Sequence, residues 1–180
     1  MVGSGCRLLG LSVKPRPPVS GRSFRFRRGH RERWRVSSAT TVLHTIAITL
    51  KIPDNTAFSA LTALRRLGVD VHRVERADIW QFAGPASSDE VAASVQRNES
   101  LFNPNKHALE LRESPNPQSG EAWISTISAT HAVAADASAA AVHHVGWRLF
   151  GRDGTPVPPA TLKEAVEKLL CNPAIERAIT

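Results

Sequence analysis

The stretch IAITLKIPDNTAFSALTALRRLGVDVHRVERADIWQF, residues 46–82, decides the fold because three local patterns follow one another in it. Apolar side chains occupy every second position from Ile46 to Ile52, which predicts a strand with one buried face. Pro53 ends this strand because proline has no N–H to donate. Asp54 follows at once and offers a carboxylate that can cap a helix.

The helix is predicted by apolar residues spaced at i, i+3, i+4, i+7 and i+10 between Ala57 and Leu67. Gly68 suits the left-handed position that ends many helices. Residues 69–82 then predict a long second strand, with a bulge at 75–77 where the alternation slips. A strand, a helix and a strand in this order predict two parallel strands with the helix on one face of the sheet.

The net charge of +7 comes from one end of the 180-residue chain. Residues 1–40 contain ten Lys or Arg and one acidic residue, Glu32, whereas the remaining residues contain 13 basic and 15 acidic ones. The main part of the chain is therefore close to neutral, and its charge does not indicate a basic binding face. With 42% hydrophobic residues, the length allows one ordinary domain or two very small ones.

Residues 1–40 predict a disordered basic extension, because they are rich in Arg, Ser, Gly and Pro and show no apolar period. The apolar run from Leu8 to Val13 is too short for a membrane span. Three interpretations stay open: a dispensable extension, an organellar transit peptide, or an arm that binds nucleic acid through its arginines and through Phe24, Phe26 and Trp34.

After the second strand, Ser87 or Ser88 predicts the start of another helix, which ends before Asn103 and Pro104. Residues 107–113 predict a third strand with Leu109 and Leu111 inward. The turn-rich segment 114–120 can join it to a strand at 122–127 as a hairpin. A first α+β module therefore spans residues 44–113.

The second half of the sequence repeats features of the first. Trp80 and Gly84 recur as Trp147 and Gly151, 67 positions later, and Asn103-Pro104 recurs as Asn172-Pro173, 69 positions later. A helical stripe of Leu162, Val166, Leu169 and Leu170 precedes the second Asn-Pro pair, and a last strand is predicted at 174–179.

The repetition predicts a second, degenerate module at residues 121–180, whose first helix, in the alanine run 130–142, is only weakly amphipathic. A rival interpretation makes that run a flexible link and leaves 122–127 as the hairpin partner of the first module.

Two segments, LTALRRLGVDVHRVERADIW at 61–80 and LLCNPAIE at 169–176, resemble PurS, the small subunit of phosphoribosylformylglycinamidine synthase. The resemblance implies a ferredoxin-like α+β sandwich that self-associates and docks on the large synthetase subunit and its glutaminase. In that complex, which belongs to purine biosynthesis, ammonia from glutamine passes to an ATP-dependent synthetase. The small subunit contributes no chemistry, and a tandem copy would act as a covalent dimer in the cytoplasm.

Independently of the resemblance, we expect no catalytic, cofactor-binding or metal-binding residues. Gly151 and Gly154 lack the lysine of a phosphate-binding loop. Of the three histidines His131, His143 and His144, the adjacent pair should point to opposite faces of a strand and cannot share one metal ion. The only cysteines, Cys6 and Cys171, suggest reduced thiols, and a nucleophilic role for Cys171 has no base to support it.

Charged residues also alternate along the second predicted strand, where Asp70, Glu75 and Asp78 mix with Arg73 and Arg76. This pattern predicts a solvated strand face with cross-strand ion pairs, and the alternative is an acid/base dyad. In contrast, Trp80, Trp123 and Trp147 are expected to be core or interface anchors and not ligand platforms.

Three classes of function therefore remain. The first is an assembly subunit of the PurS kind. The second is a regulatory module that binds a small molecule, for example an anion at the helix start Asp54-Asn55-Thr56. The third is nucleic-acid binding through the basic extension. A membrane protein is not expected.

Overall fold

The computed structural model describes residues 42–127 and 140–180. The predicted basic extension and the first part of the alanine run, residues 130–139, lie outside the described residues. All described residues belong to one compact unit, Ser38–Thr180.

This unit is an α+β domain, as predicted, and its described residues form one six-stranded antiparallel sheet and three helices. The elements are β1 Val42–Leu50, α1 Asn55–Arg66, β2 Arg73–Gly84, α2 Ser88–Arg97, β3 His107–Arg112, β4 Glu121–Thr126, β5 Ala140–Phe150, α3 Pro159–Ala165 with a π-helical turn Val166–Leu170, and β6 Glu176–Ile179.

The strands lie in the order β3-β1-β2-β5-β4-β6. The prediction that β1 and β2 are parallel is wrong, because Val42 lies opposite Gly84 and Thr49 lies opposite Ala77. Residues 67–72 are a connection and not the start of β2; Arg65 holds them by donating to the carbonyl of Val71 (2.9 Å). This connection returns the chain to the end of the sheet where β1 finishes, so β2 runs the opposite way.

The predicted bulge in β2 is also wrong. Ala77 pairs in regular register with Thr49 on one side and Gly146 on the other. The alternation slips in the sequence because Arg76 and Asp78, two polar residues, occupy the face that is otherwise apolar.

The predicted hairpin between β3 and β4 does not form, so the rival interpretation is wrong in making 122–127 the hairpin partner of the first module. Most of the flexible link that it placed in the alanine run lies outside the described residues. β3 is an edge strand, and three other strands separate it from β4. The connection 114–120 instead crosses one face of the sheet, where Gln81 Nε2 donates to the carbonyl of Pro115 (2.7 Å). A short turn-rich segment therefore spans a sheet and does not reverse a strand.

All three helices cover the same face of the sheet, which we call the helix face. The side chains of α1 and α3 pack with Val74 and Leu149 in one cluster, while Val95 of α2 packs with Ile46 and Trp80 in another. Positions 74 and 80 share a face because β2 alternates without interruption.

Two of the predicted helix starts are confirmed. Asp54 Oδ1 accepts from the N–H groups of Thr56 (2.8 Å) and Ala57 (3.2 Å) and caps α1. Ser87 and Glu90 form a capping box at the start of α2. Gly68, with φ of 80°, takes the predicted left-handed position after α1.

The other face, which we call the concave face, carries small or fully buried side chains: Thr45, Ala47, Ala77, Ile79, Trp123, His144 and Gly146. Arg112 of β3 lies 3.8 Å from Glu121 of β4 on this face. On a flat sheet, strands four steps apart would be about 19 Å apart. The sheet therefore curls toward this face, and the ion pair crosses the hollow.

Burial departs from the predicted alternation at several positions. Ile46, Ala47 and Ile48 are all buried, so the centre of β1 is covered on both faces, whereas Ile52 is exposed. Leu111 is exposed because it lies on an edge strand, and Leu169 is exposed because the π-helical turn rotates it away from the stripe. The end of the alanine run, 140–142, is strand and not helix.

One straight row of paired residues crosses the whole sheet: Leu109, Ile48, Asp78, Val145, Ile124 and Ala178. Asp78 and Val145, which pair at its centre, are 67 positions apart in sequence. Leu109 and Ala178, at its two ends, are 69 positions apart. These separations equal those of the two repeated motifs in the sequence.

The two Asn-Pro turns have the same hydrogen bonds. The carbonyl of Asn103 accepts from the N–H of His107 (2.8 Å), and that of Asn172 accepts from the N–H of Glu176 (2.8 Å). Each asparagine side chain also accepts from the N–H two residues later, at 2.9 Å and 3.1 Å. Each turn therefore leads into an edge strand in the same way.

Gly146 provides a test of the tight packing on the concave face. A Cβ at this position would lie 2.9 Å from Ile79 Cγ1. We expect Gly146→Ala to lower the free energy of unfolding by about 1–3 kcal/mol, as overpacking of a core does. Urea denaturation followed by tryptophan fluorescence measures this loss.

The control for Gly146→Ala is the double variant with Ile79→Ala, which removes both Cγ1 and Cδ1, the two atoms of Ile79 nearest to the new Cβ. Gly146→Ala should cost less stability in the Ile79→Ala background. Equal costs of Gly146→Ala in both backgrounds would contradict the packing explanation.

Candidate functional site

A polar cluster lies on the helix face at the middle of the sheet, where β2 and β5 pair. Arg76 donates to Asp78 Oδ1 (3.2 Å) and lies 3.8 Å from the cap residue Asp54. His143 Nε2 is 3.3 Å from the same Asp78 oxygen. The His143 ring also packs on Trp80, with 4.5 Å between ring centroids. A carboxylate is thus held between an imidazole and a guanidinium.

The surroundings of Asp78 act on its pKa in opposite directions. Burial would raise the pKa, but the hydrogen bond with His143 and the positive charge of Arg76 outweigh it and hold the pKa below its usual value. Asp78 is therefore a stable carboxylate at neutral pH. The cluster is suited to bind and orient a polar group.

A cleft of about 300 Å³ opens beside this cluster. Arg76, His143 and Trp147 line it from the sheet, and Leu170 and Glu176 line it from the end of the π-helical turn and from β6. A cation, an imidazole, a carboxylate and an aromatic ring therefore face one small space.

A second polar cluster is buried on the concave face around Gly146. Glu121 is 2% exposed and accepts from the N–H of Gln118 (2.8 Å), and its carboxylate also faces Arg112. The rings of Trp123 and His144 pack against each other beside it in a tilted arrangement, with 5.6 Å between ring centroids. Neither ring nitrogen of His144 has a hydrogen-bond partner in the part of the chain that the structure describes.

The prediction for the adjacent histidines is confirmed. His143 lies on the helix face against Trp80, and His144 lies on the concave face against Trp123. Within residues 42–127 and 140–180, no group of three or more His, Cys, Asp or Glu is placed to hold a metal ion. The third predicted candidate, His131, lies outside the described residues.

Of the solvated strand face with cross-strand ion pairs that was predicted for β2, only the exposure of Arg73 and Glu75 is confirmed, because their ion pair lies within one strand. Arg73 and Glu75 are exposed and pair with each other along the strand. Arg76 and Asp78 instead turn to the helix face and join the central cluster. The acid–imidazole contact to His143 was missed because it depends on the register between β2 and β5. No sequence pattern fixes this register, although the 67-position repeat agrees with it, because Asp78 and Val145 at the centre of the β2–β5 pairing are 67 positions apart.

The predicted anion site at the start of α1 is contradicted. The carboxylate of Asp54 already accepts from the N–H groups of Thr56 and Ala57, and its negative charge would repel an anion. The glycines at 151 and 154 belong to a tight turn in which Gly151 donates to the carbonyl of Thr155 (2.8 Å).

The cysteines and tryptophans singled out in the sequence are considered next, as far as the structure describes them. Cys171 is half-buried beside Glu176, and burial together with that charge raises the pKa of its thiol, which lowers its reactivity. Cys6 lies outside the described residues. Trp80 and Trp123 are buried in the core, and Trp147 is half-buried against the α1–α3 cluster, so all three act as anchors.

No family model and no curated protein matches the chain. Among the described helices, none combines the length and the apolar character that crossing a membrane requires.

The buried position of His144 predicts a pH dependence of stability. Burial and the nearby His143 lower the pKa of His144 in the folded protein, so the unfolded chain takes up the proton first. The stability contributed by neutral His144 is complete above the unfolded pKa of about 6.5 and is lost as the pH falls from there through the lower pKa of the folded protein. Urea denaturation between pH 8 and pH 5 should therefore show a steeper loss for the natural protein than for His144→Gln.

The control is His72→Gln, because His72 is an exposed histidine on the connection before β2. This variant should keep the steep loss of stability that buried His144 causes. A His144→Gln variant that loses stability as steeply as the natural protein would contradict the assignment.

Proposed function

We propose that the chain consists of two PurS-like modules in tandem, residues 44–113 and 121–180, and that it is a non-catalytic assembly subunit. The observation that carries the tandem arrangement is the row of paired residues across the sheet. The two residues at its centre are 67 positions apart and the two at its ends are 69 positions apart, which are the offsets of the two repeated sequence motifs. Strand register and sequence repetition are independent quantities, so their agreement supports the tandem arrangement.

Three further features support equivalent modules. The strand order β3-β1-β2 mirrors β6-β4-β5 about the central pairing. The two Asn-Pro turns share their hydrogen bonds. Lys51 donates its N–H to the carbonyl of Lys106 (2.8 Å), and Ile127 donates to the carbonyl of Ile175 (2.9 Å) at the equivalent place. A two-fold axis normal to the sheet relates all of these pairs.

The PurS-like role comes from the resemblance at residues 61–80 and 169–176. The first segment covers the end of α1 with most of β2, and the second covers the Asn-Pro turn before β6, so the two segments resemble different parts of the proposed module. In this role the protein bridges a glutaminase and an ATP-dependent synthetase in the cytoplasm. The covalent link between the modules supplies the second docking surface at high effective concentration.

The test is reconstitution with the synthetase and glutaminase of phosphoribosylformylglycinamidine synthase. We expect the full chain to form a ternary complex, measured by light scattering after size exclusion. It should also raise glutamine-dependent amidation and leave ammonia-dependent amidation unchanged, because free ammonia needs no assembly.

The two enzymes without the chain are the control for this experiment. If no complex forms and glutamine-dependent turnover stays at the control level, the proposed assembly role is wrong.

A regulatory module that binds a small molecule is the second candidate, and the cleft beside the central cluster favours it. Arg76 and Glu176 offer opposite charges across a space of about 300 Å³, with Trp147 as an apolar wall. This combination fits a small zwitterion such as an amino acid. A rise of several degrees in the melting temperature with free amino acids, abolished in Arg76→Gln, would favour this function over assembly.

A further inference from the structure

A cleft of about 190 Å³ opens at the end of the sheet where β3 separates from β1. The last residue pair between these two strands is Thr45 with Arg112, so among the described residues 42–44 pair only with β2. These three residues line the cleft together with Leu111 and Arg112 of β3 and with Ser88 at the start of α2. The cleft therefore borders an open strand edge.

Two side chains that line the cleft are buried and have nitrogen atoms without a hydrogen-bond partner among residues 42–127 and 140–180. His44 is 8% exposed, and its Nδ1 lies 3.1 Å from the hydroxyl oxygen of Ser88. When Nδ1 accepts from this hydroxyl, the unpartnered Nε2 carries the ring proton. The side chain of Arg112 is 9% exposed, and its Nε and Nη1 are the other unpartnered nitrogens. Since buried N–H groups are nearly always hydrogen-bonded in folded proteins, the cleft is suited to a ligand with acceptor oxygens.

The charges around Arg112 favour a neutral ligand over an anion. Glu110 Oε1 lies 3.3 Å from Arg112 Nε and Glu121 Oε2 lies 3.8 Å from Arg112 Nη1, although neither contact has the geometry of a hydrogen bond. Glu113, a third carboxylate, lines the cleft itself. Because these charges would repel an anion, the acceptor is best supplied by the carbonyl of an amide, whose N–H can donate to a carboxylate.

We propose that this cleft binds an extended peptide segment of another protein, in which an apolar residue is flanked by Lys or Arg. A carbonyl of the peptide accepts from Arg112 and His44, and its backbone pairs with residues 42–44 as an added strand. An extended peptide fits an open strand edge because both carry N–H and C=O groups in alternation. This inference goes beyond the assembly role and does not rest on it.

The walls of the cleft determine the side chains of the peptide. Val42 and Leu111 are 44% and 38% exposed, and both lie on the helix face, since Leu111 pairs with Ile46 there. An apolar peptide residue on this face covers both side chains. Its neighbours in the peptide point to the concave face, where the exposed Glu110 offers an opposite charge to a basic side chain.

The probe is the synthetic peptide acetyl-Val-Lys-Val-Lys-Val-amide, titrated into the full chain by isothermal titration calorimetry. We expect saturable binding of one peptide per chain. The charge-reversed peptide acetyl-Val-Glu-Val-Glu-Val-amide should bind at least about tenfold more weakly, because its carboxylates meet Glu110 and Glu113.

Two modified peptides test the strand pairing. One carries an N-methyl group on the central valine and the other carries it on the lysine that follows. Successive N–H groups of a strand point to opposite sides, so only one of the two faces β1. One N-methyl group should therefore weaken binding clearly more than the other.

Two variants of the protein test the walls of the cleft. Arg112→Lys keeps the charge but removes the Nε donor, and it should weaken the lysine peptide about fivefold or more, whereas Arg97→Lys at the end of α2 is the matched control. Leu111→Ala, which spares the buried contact of Arg112 with Glu121, should weaken it to a similar extent. Its control is Ile179→Ala, a similarly exposed residue on the other edge strand.

The absence of saturable binding of the lysine peptide would overturn the proposal, as would equal binding of the lysine and glutamate peptides. Binding that both Arg112→Lys and Leu111→Ala leave unchanged would place the peptide elsewhere and overturn it as well. Equal effects of the two N-methyl groups would contradict the pairing with β1. None of these measurements involves the synthetase or the glutaminase, so this proposal and the assembly role can fail separately.

Discussion

The pairing of β2 with β5 is the interaction on which the rest of the structure depends. It joins the two halves of the chain through eleven consecutive residue pairs, from Arg73 with Phe150 to Ala83 with Ala140. A slip by one residue would move every side chain of one strand to the opposite face. Gly146 opposes such a slip, because only a residue without a Cβ fits against Ile79 at this point.

Charged side chains in the middle of this pairing lose contact with water when they are buried, and nearby partners offset that loss of hydration. Asp78 would be unfavourable on a half-buried face, but it contacts both Arg76 and His143. A charged group that finds its partners in only one alignment of two strands favours that alignment over others. We therefore interpret the cluster as a determinant of register as well as a wall of the cleft.

Sequence patterns predicted the local elements well because caps and periodicity act over a few residues. The Asp54 cap, the glycine after α1 and the start of α2 at Ser87 all depend on contacts within one helical turn. Strand direction, the path of 114–120 and the partners of Asp78 depend on which strands become neighbours. Local sequence patterns carry little information about which strands become neighbours in the sheet.

The repeated motifs carried more long-range information than any single element. An offset of 67 between Trp80 and Trp147 agrees with a two-fold pairing of β2 and β5, because Asp78 and Val145, which pair at its centre, are also 67 positions apart. The offset alone does not say which such pair lies on the axis, so the contact of His143 with Trp80 follows only from the observed register. The curl of the sheet had no such signal. It arises from small residues such as Ala47, Ala77 and Gly146 on three neighbouring strands, whose adjacency becomes known only with the topology.

The contact between Asp78 and Val145 has a consequence for how such a chain can change over generations. In an assembly of two identical subunits, a residue on the symmetry axis must face itself, and an aspartate there would place two carboxylates side by side. In the tandem arrangement proposed above, the axis runs between two different residues, Asp78 and Val145, because both strands belong to one polypeptide. A substitution in β2 therefore needs no matching substitution in β5. An acidic residue can be accommodated at the centre of this pairing, where a homodimer would exclude it.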